Sequence, residues 1–370
     1  MGGSMREIGI AFLFIVFLQP VFEGEIFAQT AIEGRVVNAE SGEPLSGAHV
    51  FLSGTKTGTI TNDAGRYRLS RMQPGFHRLV ISMIGYGRYT LDIRIAPGQS
   101  LTENVEMEPV VYEMDEIYAG NLDERWERHL ERFIQLFIGE SERADSVKIL
   151  NPEVLRFDTK WWGRFTAEAL APLEIENRAL GYNIIYYLDE FYHTGTTTRW
   201  DGEPLFSEMT PSDSTQEEYW SRNREEAFSG SLRHFLITLV EDRADDEGFT
   251  IYNQRRGIHG ISVHDKRRIR SGSLIRETDE EHLYHMRFSG RLEIIYSNGE
   301  EDPRYVRWAR HLNRGPSTVQ TSYLELNERP ITIDPDGEIE EVYGATRFGY
   351  FAFLRLADKT PREYRAMNSE

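Results

Sequence analysis

The sequence predicts a multidomain chain, an N-terminal all-β sandwich followed by a larger α+β domain. Three observations carry this. Apolar and polar side chains alternate with period two through residues 29–109, and Gly/Pro/Asn/Asp turns interrupt them. Apolar residues at helical spacing follow beyond residue 120, among further strand-like runs. A chain of 370 residues with 39% hydrophobic side chains has core material for two domains. The expected organisation is a leader over 1–28, the sandwich over 29–109, a linker over 110–120 and the α+β domain over 121–370.

The leader is read first. Arg6 precedes an apolar run from Ile8 to Leu18. The run is too short to span a bilayer, which takes roughly 20 residues, and has the length of a signal-peptide core. Pro20 breaks it. Ile26-Phe27-Ala28 puts a small residue at the cleavage position, so the cut is expected between Ala28 and Gln29. The competing reading is an uncleaved N-terminal anchor. No later segment is long and apolar enough for a transmembrane helix. Cysteine is absent, which removes disulfides, thiolate metal sites, thiol nucleophiles and a lipidated-Cys anchor. That suits an exported bacterial protein stabilised by its core alone, in the periplasm, on the outer membrane or at the cell surface. With 60 Asp and Glu against 42 Lys and Arg, the net charge is −18. Such a chain repels phosphate backbones, so no nucleic-acid partner is expected.

In the sandwich, Ile32, Gly34 and Val36 alternate with Glu33 and Arg35. Ala48, Val50 and Leu52 alternate with His49 and Phe51, and Tyr89, Leu91, Ile93 and Ile95 with Thr90, Asp92 and Arg94. This pattern predicts antiparallel strands with one face buried and the other solvated. Turns fall at Ser41-Gly42-Glu43-Pro44, Ser53-Gly54-Thr55, Asn62-Asp63-Ala64-Gly65 and Gln73-Pro74-Gly75.

Gly34-Arg35-Val36-Val37, the stretch from Gly42 to Val50, the stretch from Gly58 to Tyr67, and Ser82-Met83-Ile84-Gly85-Tyr86 resemble the carboxypeptidase-regulatory-like domain. The resemblance implies a transthyretin-like (prealbumin-like) β-sandwich. It is to the accessory sandwich of carboxypeptidases, not to their catalytic domain. None of the ten histidines has Glu three residues later, so the zinc motif of that catalytic domain is absent. TonB-dependent receptors often carry the same sandwich, but the remaining length is too short for a plug and a large barrel.

Beyond the linker, Asn121 stands at a helix N-cap with Glu124 three residues on. Leu122, Trp126, Leu130, Phe133, Ile134 and Phe137 follow at helical spacing. Asn151-Pro152 opens a short helix. Leu232, Phe235, Leu236, Leu239 and Val240 mark another, with Ser231 as its cap. Strands are expected at 184–188, 196–199, 249–252, 292–296, 322–326 and 331–333. Glu176 to Tyr182, Asn223-Arg224, Phe228 to Leu236 and Gly248-Phe249 resemble the C-terminal part of exported bacterial proteins described as carboxypeptidase-like regulatory domain-containing. That resemblance implies an envelope location and no defined chemistry.

Each chemical candidate has a plainer reading beside it. His282 and His285 would share a face on a helix, but Leu283 to Leu292 reads as strand, which separates them. His259, His264 and Asp265 stand beside the basic run Lys266-Arg267-Arg268-Ile269-Arg270, which opposes a cation and itself reads as a solvated loop or a dock for acidic groups. Asp334-Pro335-Asp336-Gly337-Glu338 lacks the further oxygens of a calcium loop and reads as a β-turn. Trp161, Trp162, Tyr192 and Trp200 lie in an aromatic-dense stretch and are the candidate ligand or partner contacts; packing in a core or interface is the alternative. No catalytic residue, metal ligand or cofactor is assigned.

The resulting expectation is a non-catalytic cell-envelope protein. In it the sandwich is a spacer or docking module and the α+β domain binds an envelope protein or a polysaccharide. A glycan- or polymer-binding accessory of an outer-membrane uptake system is the alternative. A cryptic hydrolase using carboxylate pairs and His234 is a second.

Overall fold

In a computed structural model, the structure describes residues 30–110 and 124–366, except 71, 74, 97, 258, 259, 281 and 311–313, and the side chains of 256–265. The leader, the cleavage pair Ala28 and Gln29, nearly all of the expected linker, Asn121, Leu122 and the side chains of His259, His264 and Asp265 lie outside it.

The sandwich strands are β1 (Ala31–Asn38), β2 (His49–Leu52), β3 (Gly58–Ile60), β4 (Arg66–Ser70), β5 (Gly75–Ser82), β6 (Tyr89–Ile95), β7 (Ser100–Thr102) and β8 (Val105–Met107). One sheet has the order β3-β2-β5-β6 and is antiparallel throughout. In the other, β4 pairs antiparallel to β1, while β7 and β8 pair parallel to it. The expected all-antiparallel pairing therefore fails at β7 and β8. After β6 the chain crosses to the sheet that contains β1 and runs in the direction of β1, with the Ala31 and Glu103 amides bonding the Gln99 and Glu33 carbonyls. Ile32, Val36, Val50, Leu52, Leu69, Leu79, Ile81 and Ile95 fill the space between the sheets. Gly65 turns the chain into β4 at φ +69°, where a Cβ would stand 2.4 Å from the Val36 carbonyl oxygen.

The second region contains β9 (Val147–Ile149), β10 (Leu155–Thr159), β11 (Phe165–Ala169), β12 (Leu173–Asn177), β13 (Tyr182–Thr194) and β14 (Thr197–Glu208). These form a sheet of order β10-β11-β13-β12-β9, with β14 paired to β13. Helix α1 (Glu124–Phe137) lays Phe133 and Phe137 on it, among Phe165, Tyr186 and Phe191. Helices α2 (Ser214–Phe228) and α3 (Leu232–Val240) follow. The remaining strands are β15 (Phe249–Gly257), β16 (Gly260–Ile269), β17 (Ile275–Glu277), β18 (Tyr284–Met286), β19 (Arg291–Tyr296), β20 (Gln320–Leu326), β21 (Ile331–Ile333) and β22 (Ala345–Gly349). They make one sheet of order β16-β15-β19-β20-β22 and a small one of order β17-β18-β21. Phe235, Leu236 and Leu239 of α3 pack between them. Two single-turn helices, α4 (Tyr305–Trp308) and α5 (Tyr350–Phe353), pack ring to ring through Tyr305, Tyr350 and Phe353.

The chain is thus multidomain, an all-β sandwich followed by an α+β region. Three local expectations need correction. Leu283 to Leu292 is not one strand: β18 ends at Met286, and β19 starts in a different sheet after Gly290, which has φ +85°. The basic run 266–269 lies in β16, not in a loop, and Lys266 bonds Glu293 at 2.8 Å. Helix α2 was not foreseen, because charged and polar residues surround it and only Trp220, Asn223, Ala227 and Phe228 are buried.

A fourth correction positions everything that follows. Phe51, expected on a solvated face, is fully buried, as is Val80 beside it. The outer face of the β3-β2-β5-β6 sheet packs on the β13–β14 hairpin, with Phe51 stacked on Tyr187 at 5.3 Å between ring centroids and Ile185 and Leu205 around them. Backbone bonds cross the same seam: Gly54 N to Pro204 O at 2.7 Å, Phe206 N to Thr55 O at 2.9 Å and Arg362 N to Gly54 O at 2.8 Å. The turn between β2 and β3 thus pairs with β14 of the neighbouring region. Removing a buried phenyl ring costs about 3–5 kcal/mol. Phe51→Ala should lower the stability of the whole chain by that amount in denaturant titration. A change near zero would mean that this face is solvated in solution.

Candidate ligand-binding site

A cavity of about 360 Å³ lies where the sandwich, the β13–β14 hairpin, α3, the turn after β21 and the segment after α5 meet. Its position follows from local geometry. The β13–β14 pairing shifts register between Leu188 and Glu190. Gly202 sits at this shift, so close to β13 that a Cβ would come within 2.3 Å of the Tyr187 carbonyl oxygen. Trp200, Asp201 and Glu203 flank Gly202 and line the cavity. Strand β22 brings Arg347 to it, and the chain leaving α5 brings Arg355.

One wall is a buried ionic network. The Arg362 guanidinium bonds the Asp334 carboxylate and lies 3.4 Å from Asp336 Oδ2, and Arg365 reaches Asp336 Oδ1 at 2.5 Å. Burial opposes the charged form of Arg362, but Asp334, Glu338 and Asp336 outweigh it and raise its pKa. Burial pushes the Asp334 carboxyl up to about 6 against the pull of Arg362. Asp334 Oδ1 also accepts from the amides of Asp336 and Glu338 at 2.9 and 3.0 Å. The Asp-Pro-Asp-Gly segment is therefore a β-turn whose carboxylates face arginines. Arg233 of α3 is held by carbonyl and hydroxyl oxygens, among them Thr360 Oγ1 at 3.0 Å and Arg362 O at 2.8 Å. Burial lowers its pKa to about 10.

Arg347 and Arg355 differ from these. Among the described residues, no carboxylate lies within ion-pair distance of either. The Arg347 side chain makes no hydrogen bond there either; it lines the cavity and is exposed. Arg355 donates one bond to the Leu136 carbonyl, and its Nε is buried without a partner. Their guanidinium carbons stand 6.0 and 5.2 Å from the Trp200 ring centroid. Desolvation by the surrounding protein lowers both pKa values: Glu338 opposes this at Arg347, and the like charge of Arg347 helps bring Arg355 to about 10.

The four aromatic candidates divide. Trp200 is at the cavity, edge-on to Phe137 at 6.1 Å. Tyr192 is on the opposite face of the hairpin, because its partner Arg199 precedes Trp200 by one residue; the Arg164 guanidinium covers it at 4.2 Å. Trp161 and Trp162 occupy the β10–β11 turn, 96% and 51% exposed. His282 lies in a turn at φ +66°, and His285 is exposed on β18. His234 is buried in a ring cluster with Phe228, Phe249 and Tyr296, and its Nδ1 accepts from Gly230 N at 3.1 Å. Ser231 caps α3 as expected, accepting from the His234 amide at 3.1 Å. Sequence reasoning missed Arg347 and Arg355, since a lone arginine among 42 basic residues carries no local signal.

Residues 32–118 match the family profile of the CarboxypepD_reg-like domain. The front of the chain carries such a domain. Within the same part, the TonB-dependent receptor P39 of Formosa agariphila is 32% identical over 100 residues, 27% of this chain and 9% of the receptor. The TonB-dependent receptor SusC of Bacteroides thetaiotaomicron is 35% identical over 83 residues, 22% of this chain and 8% of the receptor. The chain thus spans under a tenth of the length of these relatives. A carbohydrate binding protein from Bacteroides uniformis aligns over 48% of this chain and 79% of its own at 10% identity, with a TM-score of 0.19 that carries no argument. The CarboxypepD_reg-like domain is a regulatory-like module, not a catalytic one. Among the described residues, no helix is long and apolar enough to cross a membrane.

Two histidines make stability pH-dependent. Burial, reinforced by Arg362, lowers His77 from its usual 6.5 to about 4. Burial, reinforced by Arg243 and Arg233, does the same to His234, with Glu247 Oε2 3.8 Å from its Nε2. Between these values the two histidines bind more protons in the unfolded chain than in the fold, which the raised Asp334 offsets only in part, so stability falls as pH drops from about 6.5 towards 4. Each full shift corresponds to about 3 kcal/mol. Denaturation midpoints should fall over this window, and His234→Gln should fall less steeply. Parallel curves for the two proteins would contradict the assignment.

Proposed function

We propose that this chain is a non-catalytic binding protein of the bacterial cell envelope. Its CarboxypepD_reg-like sandwich, residues 29–109, acts as a docking module for the α+β domain, residues 121–370, and the cavity between them receives the ligand. The carrying observation is the construction of that cavity, with walls from both parts of the chain and Trp200 inside. Three of the acids that line it are tied up structurally. Glu203 bonds Arg78 at 3.0 Å, Asp358 bonds Arg143 at 2.7 Å and Glu341 bonds Thr332 Oγ1 at 2.9 Å. The buried His234 ring accepts from the Gly230 amide and packs among aromatic rings, which supports a structural role over a hydrolytic one. The likeness to TonB-dependent receptors favours an accessory of an uptake system that handles a polysaccharide or meets an envelope protein, in the periplasm or at the surface.

The exposed pair Trp161 and Trp162 favours a second contact, in which the β10–β11 turn touches a polymer or partner surface. Titration with an oligosaccharide panel, followed by tryptophan fluorescence and by product analysis, tests the reading. Saturable quenching by at least one ligand, lost in Trp200→Phe, is expected with the ligand recovered intact. A flat response across the panel, or cleavage of the bound ligand, would contradict it.

A further inference from the structure

Arg347 and Arg355 present two cationic groups to a partly open cavity, and among the described residues no carboxylate lies within ion-pair distance of either. We propose that the cavity binds a small molecule carrying an oxyanion, a carboxylate or sulfate on a sugar-sized body, through these two guanidinium groups. This rests on the reading of the cavity as the ligand site and names the chemistry it selects.

The argument is one of compensation. Holding a cation away from bulk water costs several kcal/mol unless a counter-charge or hydrogen bonds offset it. Arg362 is matched by Asp334 and Asp336, Arg143 by Asp358 and Arg233 by hydroxyl and carbonyl oxygens, whereas Arg347, exposed, and Arg355, half-buried, are left to solvent or a ligand in the cavity. Arg347 has none of this among the described residues, and Arg355 has one carbonyl. Among the described residues, none of the acids that line the cavity pairs with Arg347 or Arg355; Asp201 accepts from the Gly202 amide at 2.9 Å. Glu340 is engaged by Arg94 at 3.3 Å, and Glu341 by Thr332. Glu338 is shared among Arg347, Arg233 and Arg362.

The two guanidinium groups are also oriented. Both lie over Trp200, and a cation held on a ring by its face keeps its N–H edge for other acceptors. The planar fork of arginine matches the paired oxygens of a carboxylate or sulfate. The volume, about 360 Å³, is at the small end of ligand pockets, which run from about 300 to 1,000 Å³. A one- or two-ring molecule fits that space, and a long chain does not.

Isothermal titration of the intact chain tests this, with galacturonate, glucose 6-sulfate, inorganic sulfate and glucose as probes. Saturable binding of galacturonate or glucose 6-sulfate is expected, and the preferred one identifies the oxyanion. Glucose should bind at least about tenfold more weakly, the scale of one charged hydrogen bond. Arg347→Met should weaken the acidic sugars by about tenfold or more, with Arg347→Lys intermediate. The Arg347→Met protein should unfold close to the wild-type temperature, as expected for a substitution at an exposed position, so a binding loss cannot be ascribed to misfolding. Competition by inorganic sulfate would support recognition of the oxyanion itself. Failure of every acidic probe to bind, or binding that ignores Arg347→Met, would overturn the proposal. If glucose binds as well as galacturonate and still quenches Trp200, the cavity reading survives and the anion assignment falls.

Discussion

Arg362 ties the molecule together. Its amide donates to Gly54 in the sandwich, its carbonyl accepts from Arg233 of α3, and its guanidinium bonds the carboxylates of the turn after β21. A buried guanidinium permits few arrangements, because each displaced partner leaves an uncompensated charge. Such a group adds little net stability compared with an apolar side chain of its size. Its effect here is to fix which surfaces meet. The same segment supplies Thr360 and Pro361 to Arg233 and Glu363 to the Lys56 amide. The C-terminal stretch is therefore a strap across the seam between the sandwich and the rest.

The seam decides what the sandwich is for. Phe51, Val80 and Arg78 project from the sheet face that an isolated sandwich would leave in water, and all three are engaged by the β13–β14 hairpin. Surface ion pairs across the boundary, such as Lys56 with Glu208 and Arg88 with Asp189, contribute little by themselves. Apolar contact and backbone bonding carry the docking. Once docked, the sandwich closes one side of a space whose other walls hold unmatched cations and a tryptophan. Fold and proposed binding role are thus joined: without the sandwich in place, the cavity would be an open groove.

How much of this could be read from the sequence depended on how local the cause was. The sandwich strands and Ser231 at the start of α3 were legible, because alternation and capping act over a few residues. The helix Ser214–Phe228 was not, since its stability comes from contacts such as Trp220 Nε1 to the Arg178 carbonyl at 2.9 Å, which no periodicity announces. Phe51 was assigned to water because alternation cannot tell a solvated face from one covered by another part of the chain. Trp200 was singled out with three other aromatics, but the sequence could not separate it from Trp161 on a turn or Tyr192 on the reverse face. Arg347 and Arg355 gain their meaning only from the absence of nearby partners among the described residues, a property of three-dimensional placement.

The claim beneath all of this is that the sandwich is clamped to the hairpin in solution. Amide hydrogen exchange reads it directly at Gly54 and Phe206, whose N–H groups bond across the seam to Pro204 and Thr55. The account predicts that both amides exchange slowly, at rates comparable to those of the central strands β2 and β13. Exchange of both at the rate of an unstructured peptide, with the strands still protected, would show the two parts moving independently and contradict it.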